Sequence, residues 1–421
     1  MRVDGVGPRA GDEPRADVGS WWPREAQEEI FAGGDFRCAS VAAPVGKAAP
    51  TGDGWEINGQ VAFASGSPYS TFYMGQAILP APADAATDDL PPQLLFVAPR
   101  SEWEMLDDWG DMLGLKGSGS HSIRFPGTRI PASWGFEGSM LDVEVGGGTP
   151  GSRLHGNPMY SGRAVSIFTL SLAAVTVGAA YNALDEYERL MRERKTPLPP
   201  FIRRIKDSDY QRWYGRALTH IATAEAAVHN TAERHMELCR RNVEEGITYT
   251  FGDDMLLAGI AREAMLMCWR VIDDDLWQTV GANVARDGER TARVFRDMAV
   301  AAAHRNLQLR DMFYGDIGRA ALGVRGTDTA GHPCPAGGRD QPRRAWTHGG
   351  TAVAARAPVG IHASQAGPAA PRPTDAAAGG PNPSPTGVSA HSRPAARRIQ
   401  IQPPIVWPSP RSGPRVPRVW T

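Results

Sequence analysis

Gly54-Trp55-Glu56-Ile57-Asn58-Gly59-Gln60-Val61-Ala62-Phe63-Ala64-Ser65-Gly66-Ser67 is the stretch from which the fold of this 421-residue chain is read. Trp55, Ile57 and Val61 alternate with polar or small residues, the period of a strand with one buried face. Asn58-Gly59 carries a hairpin signal, because a tight primed turn needs positive φ and Asn and Gly tolerate it cheaply. Beyond it, Phe63, Ser65 and Gly66 place an aromatic, a hydroxyl and a glycine side by side. Such a set suits a flat, hydrogen-bonding ring: Phe63 as apolar wall, Ser65 as polar contact, Gly66 for close backbone approach. The same residues are equally those of a plain hairpin in a β domain.

Working outward, Pro23–Phe31 predicts a short helix, with Pro at its start, acids after it and Gly33-Gly34 as its stop. Residues 36–145 hold short β-type runs divided by Pro, Gly and Asp, among them Gln76–Leu79, Gln93–Val97 and Ser122–Phe125. They predict a β domain. Residues 146–158 read as a Gly-rich linker. From 159 to 323 the period becomes helical. Four long helices are expected: one over 160–194, rich in small residues; one capped by Asp207 and running to about Glu245; one from Asp253-Asp254 past Trp269 towards Val280; and one from Glu289 to Leu322. Short connections make these a four-helix bundle and the chain an α+β protein.

The formal net charge of −1 hides an asymmetry: residues 324–421 carry 12 Arg and 3 Asp with no Lys or Glu, a net +9, which leaves −10 on residues 1–323. An acidic body does not suggest a nucleic-acid surface. The tail holds 17 of the 35 prolines and no Leu, Phe, Tyr or Met. It has little to bury and is expected to be disordered, as is the Gly/Pro/Asp/Arg-rich segment 1–20. Either it is a solvated basic tail, or it is not a selected sequence. Segment 1–20 has no apolar core of a signal peptide. The apolar run Phe168–Ala180, interrupted by Thr169, Ser171 and Thr176, is short for a membrane span. A cytoplasmic protein without a membrane role is expected. Cys38, Cys239, Cys268 and Cys334 form no CxxC pair, so neither disulfide framework nor metal site is implied. His121, His155, His220, His229 and His235 show no ligand spacing and read as solvated positions.

Three further stretches join the opening one: Val41-Ala42-Ala43-Pro44-Val45-Gly46-Lys47-Ala48 ahead of it; Trp109 with Leu113-Gly114-Leu115-Lys116-Gly117-Ser118-Gly119-Ser120 and Arg129-Ile130-Pro131 after it; and Phe295-Arg296-Asp297 with His304 seven residues on. In this order and spacing, over about residues 21–323, they resemble the acyl-CoA dehydrogenase superfamily. Within it they are most similar to the reduced-flavin-dependent, two-component monooxygenases that hydroxylate phenols, dibenzothiophene, steroid rings and pigment precursors. The resemblance implies an acyl-CoA-dehydrogenase-like middle β domain followed by a helical bundle. It also implies a homo-oligomer, usually a tetramer, and a first helical domain of which only Pro23–Phe31, within residues 21–35, has a counterpart here.

It implies a function as well: reduced FMN (FAD being possible) arrives from a separate reductase, O2 adds to form the C4a-hydroperoxide, and an aromatic or polycyclic substrate takes the distal oxygen. Ser65 falls where the family's hydroxyl faces flavin N5, Phe63 where its aromatic flanks the ring, and Gly66 beside both. Where dehydrogenases of this fold place a catalytic Glu, this chain has Ala301-Ala302-Ala303-His304, and the monooxygenase branch places a His there as acid/base. Ser118 and Ser120 either reach the cofactor or form an ordinary turn. Arg203 and Arg204 either reach cofactor phosphates, as cationic residues do in dehydrogenases, or are a solvated pair at a helix start. Two other readings stay open: a dehydrogenase-type flavin enzyme acting on CH–CH bonds, for which Glu263 is the first candidate base, and a truncated, non-catalytic remnant.

Overall fold

The computed structural model describes residues 19–81, 91–141 and 143–324. The expected disordered segments, 1–20 and 324–421, lie almost wholly outside that range. Helix α1 (Arg24–Phe31) precedes a seven-stranded sheet: β1 (Cys38–Pro50), β2 (Gly54–Val61), β3 (Phe72–Ile78), β4 (Gln93–Pro99), β5 (Glu104–Met105), β6 (Ile123–Pro131) and β7 (Gly135–Glu137). The strand order is β5-β6-β2-β1-β3-β4-β7, with β1 and β3 parallel and the other pairs antiparallel. Ile57, Tyr73, Phe96 and Phe125 are fully buried in one core of this sheet.

The opening stretch is a strand, but its hairpin lies elsewhere. Asn58 and Gly59 sit inside β2, paired with Lys47 and Gly46 of β1 and with Pro126 and Phe125 of β6. The β1–β2 turn is made at Thr51–Asp53, where the Thr51 N–H donates to the Gly54 carbonyl at 2.8 Å. Gly59 is needed for close approach: a Cβ on it would lie 2.1 Å from the Val45 carbonyl oxygen, and one on Gly46 would lie 2.2 Å from that of Asn58. The two paired strands approach here nearly backbone to backbone, which a period-2 reading does not see.

The expected linker 146–158 carries a short helix, α2 (Pro150–His155), started by a Thr149–Ser152 capping box. The helical half comprises α3 (Ala164–Glu193), α4 (Ser208–Glu244), α5 (Phe251–Arg270), α6 (Arg290–Ala302), α7 (Arg305–Gln308) and α8 (Arg310–Leu322). Asp207 caps α4 as expected, its Oδ1 accepting from the N–H groups of Asp209 and Tyr210. After α5 the chain continues through a π-helical segment, Val271–Trp277, to Val280. The expected single helix from Glu289 to Leu322 is three: α6 ends at Ala302, and His304 begins α7.

Helix α3 packs against α4, α5 and α6. Its 30 residues include a stretch long and apolar enough to cross a membrane by length and composition, less than half of it buried. The limit inferred from Phe168–Ala180 alone therefore does not hold for the helix. Packed among three other helices, it serves as the central helix of this domain.

One expected surface histidine is a core residue. His235 of α4 is 2 % exposed, and its Nδ1 stands 3.0 Å from both Ser166 Oγ and Tyr249 Oη. Burial pulls its pKa down from 6.5 to about 4, so the ring is neutral at pH 7. The unfolded chain takes up a proton near pH 6.5 that the folded chain refuses until pH 4. Stability is therefore unaffected above pH 6.5 and falls by about 3 kcal/mol as pH drops from 6.5 to 4. Urea denaturation across this range should show that slope, and His235→Gln should remove most of it.

Candidate active site

Phe63, Ser65, Gly66, Ser118 and Ser120 are brought together by two loops, one after β2 and one before β6. The Gly66 N–H donates to the Ser118 carbonyl at 2.8 Å, the Ala64 N–H to His121 O at 3.1 Å, and Ser67 Oγ to Gly119 O at 3.1 Å. Gly66 and Gly119 take φ values of 78° and 52°, which lets the loops interlock. Phe63 also has positive φ, 65°, rare for a bulky residue. Its ring is 64 % exposed and meets Trp109 edge to face at 6.0 Å. An apolar ring held outward by a strained backbone marks a binding face.

The hydroxyls form a row. Ser65 Oγ is 2.9 Å from Ser120 Oγ, and Ser120 Oγ is 2.7 Å from Ser118 Oγ. Ser118 Oγ donates to the Leu115 carbonyl at 2.8 Å. The row runs from exposed Ser65 to Ser120, which is 5 % exposed. Its inner end is tied down at Leu115, which has φ 54° and whose carbonyl also accepts the Trp109 indole N–H at 3.1 Å.

Asp297 is the residue that sequence reasoning passed over, although it stands in the quoted Phe295-Arg296-Asp297. Its Oδ1 accepts the Leu115 N–H at 2.7 Å, joining α6 of the helical half to the serine loop. Gly114 makes the approach possible: a Cβ there would lie 2.3 Å from the Arg296 carbonyl oxygen. A glycine beside a residue of left-handed φ, far in sequence from a helix carboxylate, was the only signal, and it is a weak one.

His304 lies seven residues beyond Asp297, just past the end of α6. It is the N-cap of α7, with Nδ1 accepting the Asn306 N–H at 3.1 Å. An accepting Nδ1 puts the proton of the neutral ring on Nε2, so His304 presents a donor. Neighbouring protein atoms lower its pKa below 6.5 by desolvation, although the residue is exposed. Behind it, Asn306 accepts from buried Arg262 Nε at 2.5 Å and donates to Thr169 Oγ1 at 3.1 Å.

Arg203 and Arg204 are corrected to structural roles. Arg203 Nη1 donates to the Arg192 carbonyl at 2.9 Å, closing the end of α3. Arg204 is buried, donates to Val280 O at 2.9 Å and Lys195 O at 3.1 Å, and lies 4.9 Å over the Tyr210 ring. Arg204 thus gives Nε and Nη1 to backbone carbonyls, whereas Arg203 gives Nη1 and stays exposed. Glu263 is exposed and accepts from the Tyr314 hydroxyl, which does not make it a buried base.

The face as built fits a flavin: an exposed aromatic for the ring plane, a hydroxyl at its edge, and glycines that let backbone come close. Phe63, Ser65 and Gly66 would hold it, with Ser118 and Ser120 behind.

A sheet with a following helical domain and a hydroxyl-lined face between loop and helix defines an acyl-CoA-dehydrogenase-like fold. Residues 170–309 match the family described as acyl-CoA dehydrogenase, C-terminal domain. The chain is 26 % identical over 336 residues to a pigment production hydroxylase from a Rhodococcus species, covering 77 % of this chain and 81 % of the relative. It is 26 % identical over 166 residues to the flavin-dependent monooxygenase oxygenase subunit HsaA of Rhodococcus jostii, covering 39 % of this chain and 41 % of that one. Among solved structures, 3-HSA hydroxylase from Rhodococcus sp. RHA1 superposes with a TM-score of 0.63 at 20 % identity, over 75 % of this chain and 77 % of the other. TdsC from Paenibacillus sp. A11-2, in complex with FMN and indole, gives a TM-score of 0.57 at 22 % identity, over 76 % and 78 %.

Removing the Asp297 carboxylate leaves the Leu115 N–H unpaired in a half-buried place. Asp297→Ala should lower stability by about 1–3 kcal/mol in urea denaturation, and Asp297→Asn, which keeps an acceptor oxygen, should recover most of it.

Proposed function

We propose that this chain is a flavin-dependent monooxygenase that hydroxylates an aromatic or polycyclic small molecule, using reduced flavin supplied by a separate reductase. The observation that carries the reading is the chemistry of the site: hydroxyls of Ser65, Ser118 and Ser120 and the imidazole of His304, with Ala301-Ala302-Ala303 where a dehydrogenase of this fold needs a carboxylate. Hydroxyls and an Nε2–H can hold and donate protons but cannot remove a substrate α-proton as Glu does. The exposed Glu263 gives the CH–CH dehydrogenase alternative no base. The relatives support the same reading, since they are named as hydroxylases and as an oxygenase subunit, a term that implies a partner component.

Bound reduced flavin supplies the electrons and the O2 chemistry. Phe63 would orient the ring plane, Ser65 would contact its edge, and His304 would donate from Nε2 towards the oxygen-bearing side. We propose FMN as the flavin carried, the ligand with which TdsC is described. We also propose that α3, α4, α5 and the α6–α8 segment act as a four-helix bundle that self-associates. The exposed apolar strip of α3, with Val175 at 69 % exposure, supports this. Light scattering of the full chain should then give a mass above that of one chain, and Val175→Lys should reduce it. The buried thiols of Cys38, Cys239 and Cys268 accord with work in the cytoplasm.

The test mixes the purified chain with pre-reduced FMN, O2 and indole as the aromatic probe, and measures oxygenated product against hydrogen peroxide. Product is expected from the wild type. Ser65→Ala should divert electrons to peroxide, and His304→Ala should lower product by about 100-fold. Protonating His304 Nδ1 would break its cap, so the rate should be flat above pH 6.5 and fall below it. Peroxide alone from the wild type, over a panel of phenols and fused aromatics, would remove the monooxygenase reading and leave the non-catalytic one.

A further inference from the structure

We propose that Arg262 is a positioning residue for His304: a buried guanidinium that, acting through the Asn306 side chain, holds the single helical turn which keeps the His304 ring in place with its proton on Nε2. The inference rests on the reading of His304 as the donor of the site, and goes beyond it in assigning what holds that donor.

His304 caps a helix too short to hold itself. α7 is one turn, Arg305–Gln308, set off from α6 by the break at Ala303. A turn of this length is unstable alone, because its few hydrogen bonds do not offset the dihedral freedom lost in forming it. Its place must come from tertiary contacts. Leu307, 2 % exposed, gives it an apolar foot against Leu170, Ala173, Ala261 and Met265. One buried side chain sets the depth of the turn but lets it swivel.

Asn306 removes that freedom. Its Oδ1 accepts the Arg262 Nε–H at 2.5 Å, and its Nδ2 donates to Thr169 Oγ1 at 3.1 Å. Thr169 is fully buried and its hydroxyl donates to the Val165 carbonyl at 2.7 Å. The amide has only one possible orientation here, because a guanidinium has no acceptor and only Oδ1 can face it. Residues of α5 and α3 thus grip the Asn306 side chain from two helices. The Asn306 N–H in turn meets His304 Nδ1 at 3.1 Å.

Arg262 is itself rigid. It is 1 % exposed, and its guanidinium carbon lies 3.8 Å over the Phe313 ring of α8, which fixes the plane of the head group. Burial draws its pKa down to about 10, so the charge persists at pH 7. Its Nη1 is buried without a hydrogen-bond partner among the described residues. A buried cation so incompletely bonded is costly beside an aliphatic side chain. What it delivers is one directed, charge-assisted bond, from Nε to Asn306.

The experiment records ring-nitrogen NMR of the full chain carrying isotopically labelled histidine, at about pH 8 where the imidazole is neutral. The His304 signals are those lost in His304→Ala. Oxygenated product from indole, reduced FMN and O2 is measured alongside. The wild type should show widely separated Nδ1 and Nε2 signals, those of a ring locked with its proton on Nε2. Arg262→Met removes the donor at similar volume. The two signals should then draw together towards those of free histidine, whose proton exchanges between the nitrogens. Product turnover should fall about tenfold, the worth of one charge-assisted hydrogen bond, with the KM for reduced FMN unchanged. Arg262→Lys, which keeps a charged donor, should restore signals and turnover together. Asn306→Ala should match Arg262→Met, and decides the matter if that variant does not fold. Folded Arg262→Met and Asn306→Ala proteins with wild-type nitrogen signals and turnover would overturn the inference while leaving the site reading intact. A wild type that gives no product from any aromatic probe would overturn that reading itself, and the assignment of Arg262 with it.

Discussion

The hydrogen bond from the Leu115 N–H to Asp297 Oδ1, 2.7 Å long, spans 182 residues of chain and joins the two halves of the site. On one side of it stand the loops that present Phe63 and Ser65, and on the other the helix that leads to His304. Neither half has a reacting group of its own strong enough to define an activity. The loops carry an aromatic ring and a row of hydroxyls, and the segment after α6 carries an imidazole donor. A charge-assisted bond suits this duty because it is short and directional. It is helped by Gly114, whose lack of a side chain lets the loop press on the backbone of α6.

What the sequence made legible follows from the range of the forces involved. Helical period, an Asp cap and proline breaks act within a few residues, so α3 and α4 were readable to within about a turn, and α5 at its start but not at its change to π-helix after Arg270. The β domain was readable as a run of short strands. Its pairing was not: Asn58-Gly59 has the composition of a turn, but the close approach of paired β1 and β2 required glycines on both strands, and that requirement is tertiary. The break at Ala303 was also hidden, since Ala301-Ala302-Ala303 would continue a helix gladly. Only the ability of the His304 side chain to cap the next segment lets the chain turn there.

Polar residues show the same limit. Arg203-Arg204 has the look of an anion site, and the row Ser118-Gly119-Ser120 has the look of a turn. Carbonyls left open near the end of α3 and at Val280, where the helical turn after the π-helical segment ends, claimed the arginines. The serines gained meaning only when Ser65, 55 residues away, came within 2.9 Å. His235 and His304 differ in their surroundings alone. One is neutral because the core excludes its charge, and the other holds a backbone N–H with the nitrogen that would take the proton.

Helix α3 carries a cost that is paid during synthesis. It is the first helix of its domain to leave the ribosome, and it is as apolar as a membrane span. The partner that covers most of it, α5, is complete only at Arg270, 77 residues after Glu193. At ordinary translation rates that is a delay of roughly 4–15 s in which a span-like helix lacks its main partner. Nascent chains of this protein should therefore be clients of ribosome-associated chaperones, and the yield of soluble product should depend on how fast residues 194–270 are translated.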